Sequence, residues 1–384
     1  MAMESIADFL ALPLERYRHL RASQPVVYDL AYDTWNVYRY ADAVRVLNDP
    51  STFSSEPRSP ETALPSIVGM DGARHRKLRS LVTQAFTPRM VEQLAPRIVA
   101  VTTELLDAAV RQDHFDAIQD FAYPLPIRII VEMLGVPLEE QATFRRWSET
   151  LVAGPRTDAL RGQSFADERV RIRQELVEYL GRQLGMRRAK PGDDLISRLL
   201  SAEVDGDRLD ETEVVDFVRL LLIAGYETTA CQIGNALLTL HELPAVTAEL
   251  RADPDLMPGA VEEIVRCFPS VAATVRVARR DVEIAGRRIT QGQSLIVWTA
   301  STNYDETVFP HSERFDIHRA PNRHLGFGLG PHFCLGAPLA RLELRTALRL
   351  VLERLPKLER DAAQPIEPVD SPFLFGVKNL HLLL

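Results

Sequence analysis

The chain has 384 residues, 46% of them hydrophobic and 26% charged, with a formal net charge of −8. There is enough apolar material for a sizeable core, and the acidic balance excludes the basic footprint of a nucleic-acid binder or of a protein held by charge on anionic lipid. The three cysteines, Cys231, Cys267 and Cys334, show no CxxC spacing, which excludes a disulfide scaffold or zinc knuckle and suits a reducing cytoplasm.

The N-terminal stretch MAMESIADFLALPLERYRHL lacks the basic-then-apolar order of a signal peptide, and its spacing predicts an amphipathic helix. VVYDLAYDTWNVYRY (26–40) alternates like a strand pair, and ADAVRVLNDP then returns to helical spacing. Helices are predicted at 75–84, 88–112, 124–134, 138–152, 164–188 and 191–201. The segment 210–241 is the longest and opens with Asp210 and Glu213 in a capping-box arrangement. Its apolar run, Leu220 to Tyr226, is far shorter than the ~20 residues that span a bilayer. Shorter helices follow at 243–252 and 257–267. After Pro269 the alternation and glycine-marked turns predict short strands. Residues 302–336 read as loop, 337–353 as helix, and the tail as loop and strand. With no repeat, low-complexity tract or linker, the pattern predicts one large domain over 1–384, mainly α with small β-sheets.

The chemistry concentrates in HLGFGLGPHFCLGAPLARLE (324–343), where Phe327, Gly330, Cys334 and Gly336 form the frame F-x-x-G-x-x-x-C-x-G. This is not a dinucleotide loop, because Pro331 occupies the last glycine position of GxGxxG. On this loop alone a buried, inert thiol stays open as the alternative. However, Cys334 lies just before a predicted helix, whose N-terminus favours a thiolate. Glycines on both sides, Gly328 and Gly336 among them, let backbone approach the sulfur or a flat ligand closely. A lone thiolate suits the axial position of a haem iron.

In this loop, and along essentially the whole chain, the sequence resembles the cytochrome P-450 haem-thiolate monooxygenases of the soluble bacterial type. The resemblance implies the cytochrome P-450 fold, with haem b between the long central helix and the cysteine loop. Cys334 would be the axial ligand of the iron, Phe327 would pack over the ligand loop, and His332 would hydrogen-bond a haem propionate.

Three further elements match. ExxR occurs three times, and most such pairs are solvated salt bridges. Position selects Glu263–Arg266, in AVEEIVRCFP, as the family's structural pair. His75 and Arg79, four apart in DGARHRKLRS, form the only H-x-x-x-R and read alone as a basic surface cluster. By resemblance they are propionate partners, as is Arg276. In LLLIAGYETTACQIG, Gly225 and Thr228–Thr229 are poor choices for a helix interior, and Glu227 is an acid in an apolar turn. By itself this is a tolerated blemish with a half-exposed Glu. By resemblance, Ala224–Gly225 is a notch for dioxygen, Thr228 hydrogen-bonds it, and Glu227 relays protons.

The distal pocket is expected from Leu220, Ile223 and Ala224, with Ile67, Val68, Val271, Ala272, Phe373 and Leu374 as further walls, all suited to a hydrophobic substrate. Residues 152–165 are a candidate lid. Electrons would come from a ferredoxin or flavodoxin with its reductase, with Arg76 and Lys77 as candidate contacts. TNYDE (302–306) carries Tyr304 where the family has Arg, which leaves the anchoring of the preceding loop open. Cys267 and Cys231 are expected to be packed thiols. A peroxide-driven enzyme of the same fold and a non-catalytic haem protein are the alternatives to a monooxygenase, and the Glu227–Thr228 pair argues against both.

Overall fold

A computed structural model describes residues 2–58, 67–111, 115–152, 163–371 and 373–383. Its organising element is the 32-residue helix Glu211–Glu242, the central helix. The predicted capping box is present: the Asp210 side chain accepts from Glu213 N–H, and the Glu213 carboxylate accepts from Asp210 N–H. From Thr229 to Leu240 every residue is buried. A helix enclosed on all sides needs small and apolar residues all round, which this segment supplies except at the hydrogen-bonded carboxamides Gln232 and Asn235.

Helices Pro124–Met133, Gln141–Val152, Met257–Cys267 and Ala337–Arg354 pack on the central helix. Gly225 permits the first of these contacts, since a Cβ there would sit 3.0 Å from Ile130 Cδ1. The proposed Ala224–Gly225 notch is therefore divided. Gly225 serves helix packing, and only Ala224 faces open space.

Helical boundaries shift where proline or a cap intervenes. The predicted 88–112 helix is two, Pro88–Gln93 and Ala95–Ala109, because Pro96 lacks an N–H and its ring clashes with the preceding turn. Pro13 similarly divides the N-terminal segment into Ala2–Phe9 and Leu14–Ser23. The predicted 191–201 helix starts at Leu195, where Asp194 accepts from Ser197 N–H.

The strand pair is Val26–Asp29 with Thr34–Val37, antiparallel, Val26 opposite Val37. Ser294–Val297 adds parallel to Thr34–Val37, then Thr274–Ala278 and Phe53–Ser54 complete a five-stranded sheet. The N-terminal strands are thereby sealed to the segment carrying Arg276. The C-terminal strand His381–Leu383 pairs with Phe115–Asp116 and Glu359–Arg360. No described helix is long and apolar enough to cross a membrane.

Candidate active site

Cys334 sits at the mouth of the helix Ala337–Arg354. Its N–H donates to Phe327 O at 2.8 Å, which closes the loop into a fixed turn. Gly328 and Gly330 both have φ of +72°. At Gly330 no side chain fits as well, because a Cβ would lie 2.6 Å from Leu47 O. A Cβ on Gly336 would fall 3.9 Å from Cys334 Sγ. Cys334 is solvent-accessible, yet lies in a concave surround that raises its thiol pKa. The N–H groups of Gly336 and Ala337, with Arg79 and Arg341, oppose that rise. These donors would stabilise a thiolate.

The loop is held from both sides by Glu262, which sequence reasoning missed. It accepts from Arg341 at 2.6 and 2.7 Å and pairs with His324 at 3.0 Å. Burial alone would raise its pKa, but the bonds from Arg341 and His324 hold it at about 2. Arg341 also lies 4.4 Å from the centroid of the Phe327 ring, so a cation is stacked on that ring.

Glu263 and Arg266, both fully buried, form the expected pair at 2.7 and 2.8 Å. Arg266 donates on to Asn303 O and Ser312 O, both at 2.8 Å. Arg319 and Asn322 donate to the same Glu263 carboxylate. This network ties the helix Met257–Cys267 to residues 303–322. The substitution at Tyr304 has a clear geometry: its hydroxyl donates to Cys267 O at 2.9 Å and its ring lies 5.4 Å from the Arg266 guanidinium. The loop ahead of the cysteine is anchored by Asn303, which accepts from Leu325 N–H at 2.7 Å. Cys267 is fully buried, and burial pushes its thiol up to about 12.

On the other side of Cys334 lies the helix Gly72–Ala85. Arg79 Nη2 donates to Phe333 O at 2.6 Å, next to the cysteine. His75 is buried, its ring 4.2 Å from that of His332. Burial, with His332 and Arg79 adding to it and Asp71 opposing, pushes His75 down to about 4. His332 Nε2 pairs with Asp71 at 3.1 Å, which leaves the other ring nitrogen for a ligand. Asp71 also accepts from Ser54 Oγ and Ser55 N–H, so it does not cap the helix it precedes. Its position before Gly72 reads as an ordinary cap, which hides this role.

The donor set fits a flat group bearing two carboxylates. His75 Nε2 is buried with no hydrogen-bond partner. Arg276 is buried, and its hydrogen bonds go to the neutral acceptors Thr274 Oγ1 and Val275 O. A buried guanidinium and a buried imidazole N–H call for anionic or accepting partners. Among the described residues no cluster of three or more His, Cys, Asp or Glu could hold a metal ion without such a group.

On the central helix, Leu220, Ala224 and Thr228 repeat at intervals of four along one face. Ala224 is exposed and its two stripe neighbours are half-buried, whereas the helix is buried throughout from Thr229 to Leu240. Thr228 donates to Ala224 O at 2.5 Å, a back-bond that draws on the helix ladder. Ile223 and half-buried Glu227 flank the stripe, with Glu227 Oε2 turned inward. Cys231, one turn on, has its thiol pushed up by burial and further by Glu227.

The pocket walls need one correction. Val271 and Leu374 face each other in an antiparallel bridge, so they share a side. Ala272 is fully buried in the core on the opposite side, because successive strand residues alternate. Phe373 likewise turns its ring to Trp298, 6.0 Å away. Ile67 and Val68 sit on a short 3-10 turn, with Ile67 packed on the core and Val68 49% exposed. Of the candidate lid, 152–165, residues 153–162 lie outside the described residues; Val152 ends one helix and 163–165 open the next. Arg76 is exposed beside a groove of about 760 Å³ that Pro331 and Val204 also line. Lys77 is paired with Asp207, and its charge is therefore partly spent.

A mainly helical chain that carries a glycine-framed thiol ahead of a helix and an accessible Leu220–Ala224–Thr228 stripe on a long central helix has the pattern expected of haem-thiolate oxygenases. The family model of cytochrome P450 matches residues 160–383. Similar proteins include cyclomarin C epoxidase CymV of Salinispora arenicola, 40% identical over 95% of this chain and 94% of that one. Erythromycin C-12 hydroxylase of Saccharopolyspora erythraea is 41% identical over 98% of this chain and 96% of its own. The crystal structure of CYP109E1 from Bacillus megaterium in complex with testosterone superposes with a TM-score of 0.90 at 34% identity, covering 97% of this chain and 99% of that one. The chain belongs to the cytochrome P450 family; it is a haem b monooxygenase that inserts oxygen into organic substrates.

Proposed function

We propose that Cys334 is the axial thiolate, that His75, Arg79 and Arg276 take the haem propionates, and that His332 joins them through its second ring nitrogen. The observation that carries this is that buried His75 and Arg276 both lie near Asp71 without a hydrogen bond to an anion, while Arg79, one turn from His75, acts on the accessible Cys334 thiol. Haem bound there supplies a redox iron that, with two electrons, two protons and dioxygen, yields one water and one oxygen atom for the substrate.

The chain's own residues do the rest. Glu227 brings protons from solvent toward Thr228. The Thr228 hydroxyl, donating to Ala224 O in the resting state, swings to orient and donate at the reacting side. Leu220, Ile223, Val271 and Leu374 exclude water and seat a hydrophobic substrate. The relatives named as an epoxidase of cyclomarin C and a C-12 hydroxylase of erythromycin, and the neighbour solved with testosterone, favour a large, rigid, mostly apolar molecule. Electrons come from a ferredoxin or flavodoxin docking near Arg76, in a cytoplasmic setting suited to three free thiols.

Replacing Thr228 by Ala tests the proton path. The variant should still consume reductant with a bound substrate, but divert most of it to hydrogen peroxide, with product per electron falling about tenfold. Unchanged coupling would rule out the role given to Thr228. A protein that binds ligands without oxidising any substrate under electron supply would instead be a haem sensor.

A further inference from the structure

Two carboxamides on the central helix belong to none of these roles. Gln232 and Asn235 are 5% and 0% exposed. They lie one and two turns beyond Thr228, a spacing that places all three on one side of the helix. Gln232 Nε2 donates to Phe268 O at 3.0 Å, and its Oε1 accepts from Ser270 N–H at 2.8 Å. Asn235 Nδ2 donates to Phe268 O at 3.1 Å and to Phe375 O at 3.2 Å. Two carbonyl acceptors fix which end of the Asn235 amide is nitrogen.

The segments so gripped are bonded to each other. Phe375 N–H donates to Ser270 O at 2.8 Å and Ala272 N–H to Phe373 O at 2.9 Å. Between them Val271 bridges Leu374. The loop is pressed on the helix, since a Cβ on Gly376 would be 2.7 Å from Cys231 Sγ. Apolar contacts alone would let these two segments slide along the helix, whereas hydrogen bonds have a register. Buried carboxamides are costly unless bonded, and these two give their donors to the backbone of both walls.

We infer that Gln232 and Asn235 are specificity-positioning residues, which lock the walls at Val271 and Leu374 to the helix that carries Glu227 and Thr228. The inference rests on the proposed reading of those two residues as pocket walls. Through them the distance between the seated substrate and the reacting side is held fixed, where small misplacement is expensive.

The test compares two ligands of haem iron in the intact holoenzyme: imidazole, which reports the iron alone, and 4-phenylimidazole, whose ring also meets the walls. Gln232→Met keeps the side-chain volume while removing both bonds; Asn235→Ala removes the other pair; Val271→Phe alters a wall directly. Gln232→Met and Asn235→Ala should each weaken 4-phenylimidazole about tenfold and leave imidazole unchanged, with faster amide exchange confined to Ser270 and Phe375. If Asn235→Ala does not fold, Gln232→Met carries the test. Should Val271→Phe change 4-phenylimidazole selectively while the carboxamide variants move both ligands equally, or neither, this inference fails and the pocket reading stands. If Val271→Phe leaves 4-phenylimidazole untouched, the pocket reading fails and takes the inference with it.

Discussion

Glu343, nine positions past the cysteine, is an acid with nothing to pay its desolvation. It is 2% exposed, its Oε2 has no hydrogen-bond partner, and burial pushes its pKa up to about 8. Because the folded pKa lies above the unfolded value of 4.5, the native state holds the proton more tightly. The carboxyl is harmless below pH 4.5, and it drains stability as pH rises from there to about 8. Glu343→Gln should therefore stabilise by about 3.5 kcal/mol more at pH 7.5 than at pH 4.5, read from denaturant midpoints. A gain independent of pH would show that Glu343 is ionised and paired. Nothing in the periodicity marked this residue, since Glu is an ordinary surface choice on a helix. Cys334 was legible because its glycine frame is rare, and His75 because H-x-x-x-R occurs once. Asp71, Glu262 and Arg319 were not, because each acts across long sequence separations and looks locally like a cap or a surface charge.

At the level of elements, the Met257–Cys267 helix is joined to the 303–322 loop by a dense network of buried polar bonds. Arg266 reaches Glu263, Asn303 O, Ser312 O and Arg314 O with one planar fork. Lysine has one nitrogen and no fork, so it cannot replace that geometry. Arg266→Lys should cost at least about 3 kcal/mol, the penalty for stranding a buried partner, and should lower the haem content of purified protein. A variant with the parent's unfolding midpoint and full haem content would reduce this network to decoration. The long helices were legible from periodicity, with ends moved by proline and capping. The 302–336 stretch reads as loop in the sequence, and it is loop apart from Thr302 at a helix end and a 3-10 turn at Gly330–His332; its order comes from Arg266, Asn303 and Tyr304, whose bonds no local pattern encodes. The segments 271–272 and 373–374 are expected as walls from the sequence, and what no local pattern encodes is the bridge that sets Val271 opposite Leu374.

Over the whole molecule, a net charge of −8 coexists with an exposed arginine beside the cysteine loop. Docking follows a local patch, not the total. Arg76→Glu should slow reduction by an acidic ferredoxin about tenfold at low salt, with the difference shrinking as ionic strength screens it. Lys77→Glu should do less, because Asp207 already neutralises much of that charge. Equal effects would place the electron donor elsewhere. The same face carries the thiol on which the account rests, and the most direct measurement is the spectrum of the dithionite-reduced protein under carbon monoxide. The strongly red-shifted Soret band of a thiolate-ligated haem is predicted for the parent, lost in Cys334→Ser and retained in Cys231→Ser and Cys267→Ser. A parent without that band, or a Cys334→Ser variant that keeps it, would contradict the assignment of Cys334 as the iron's ligand.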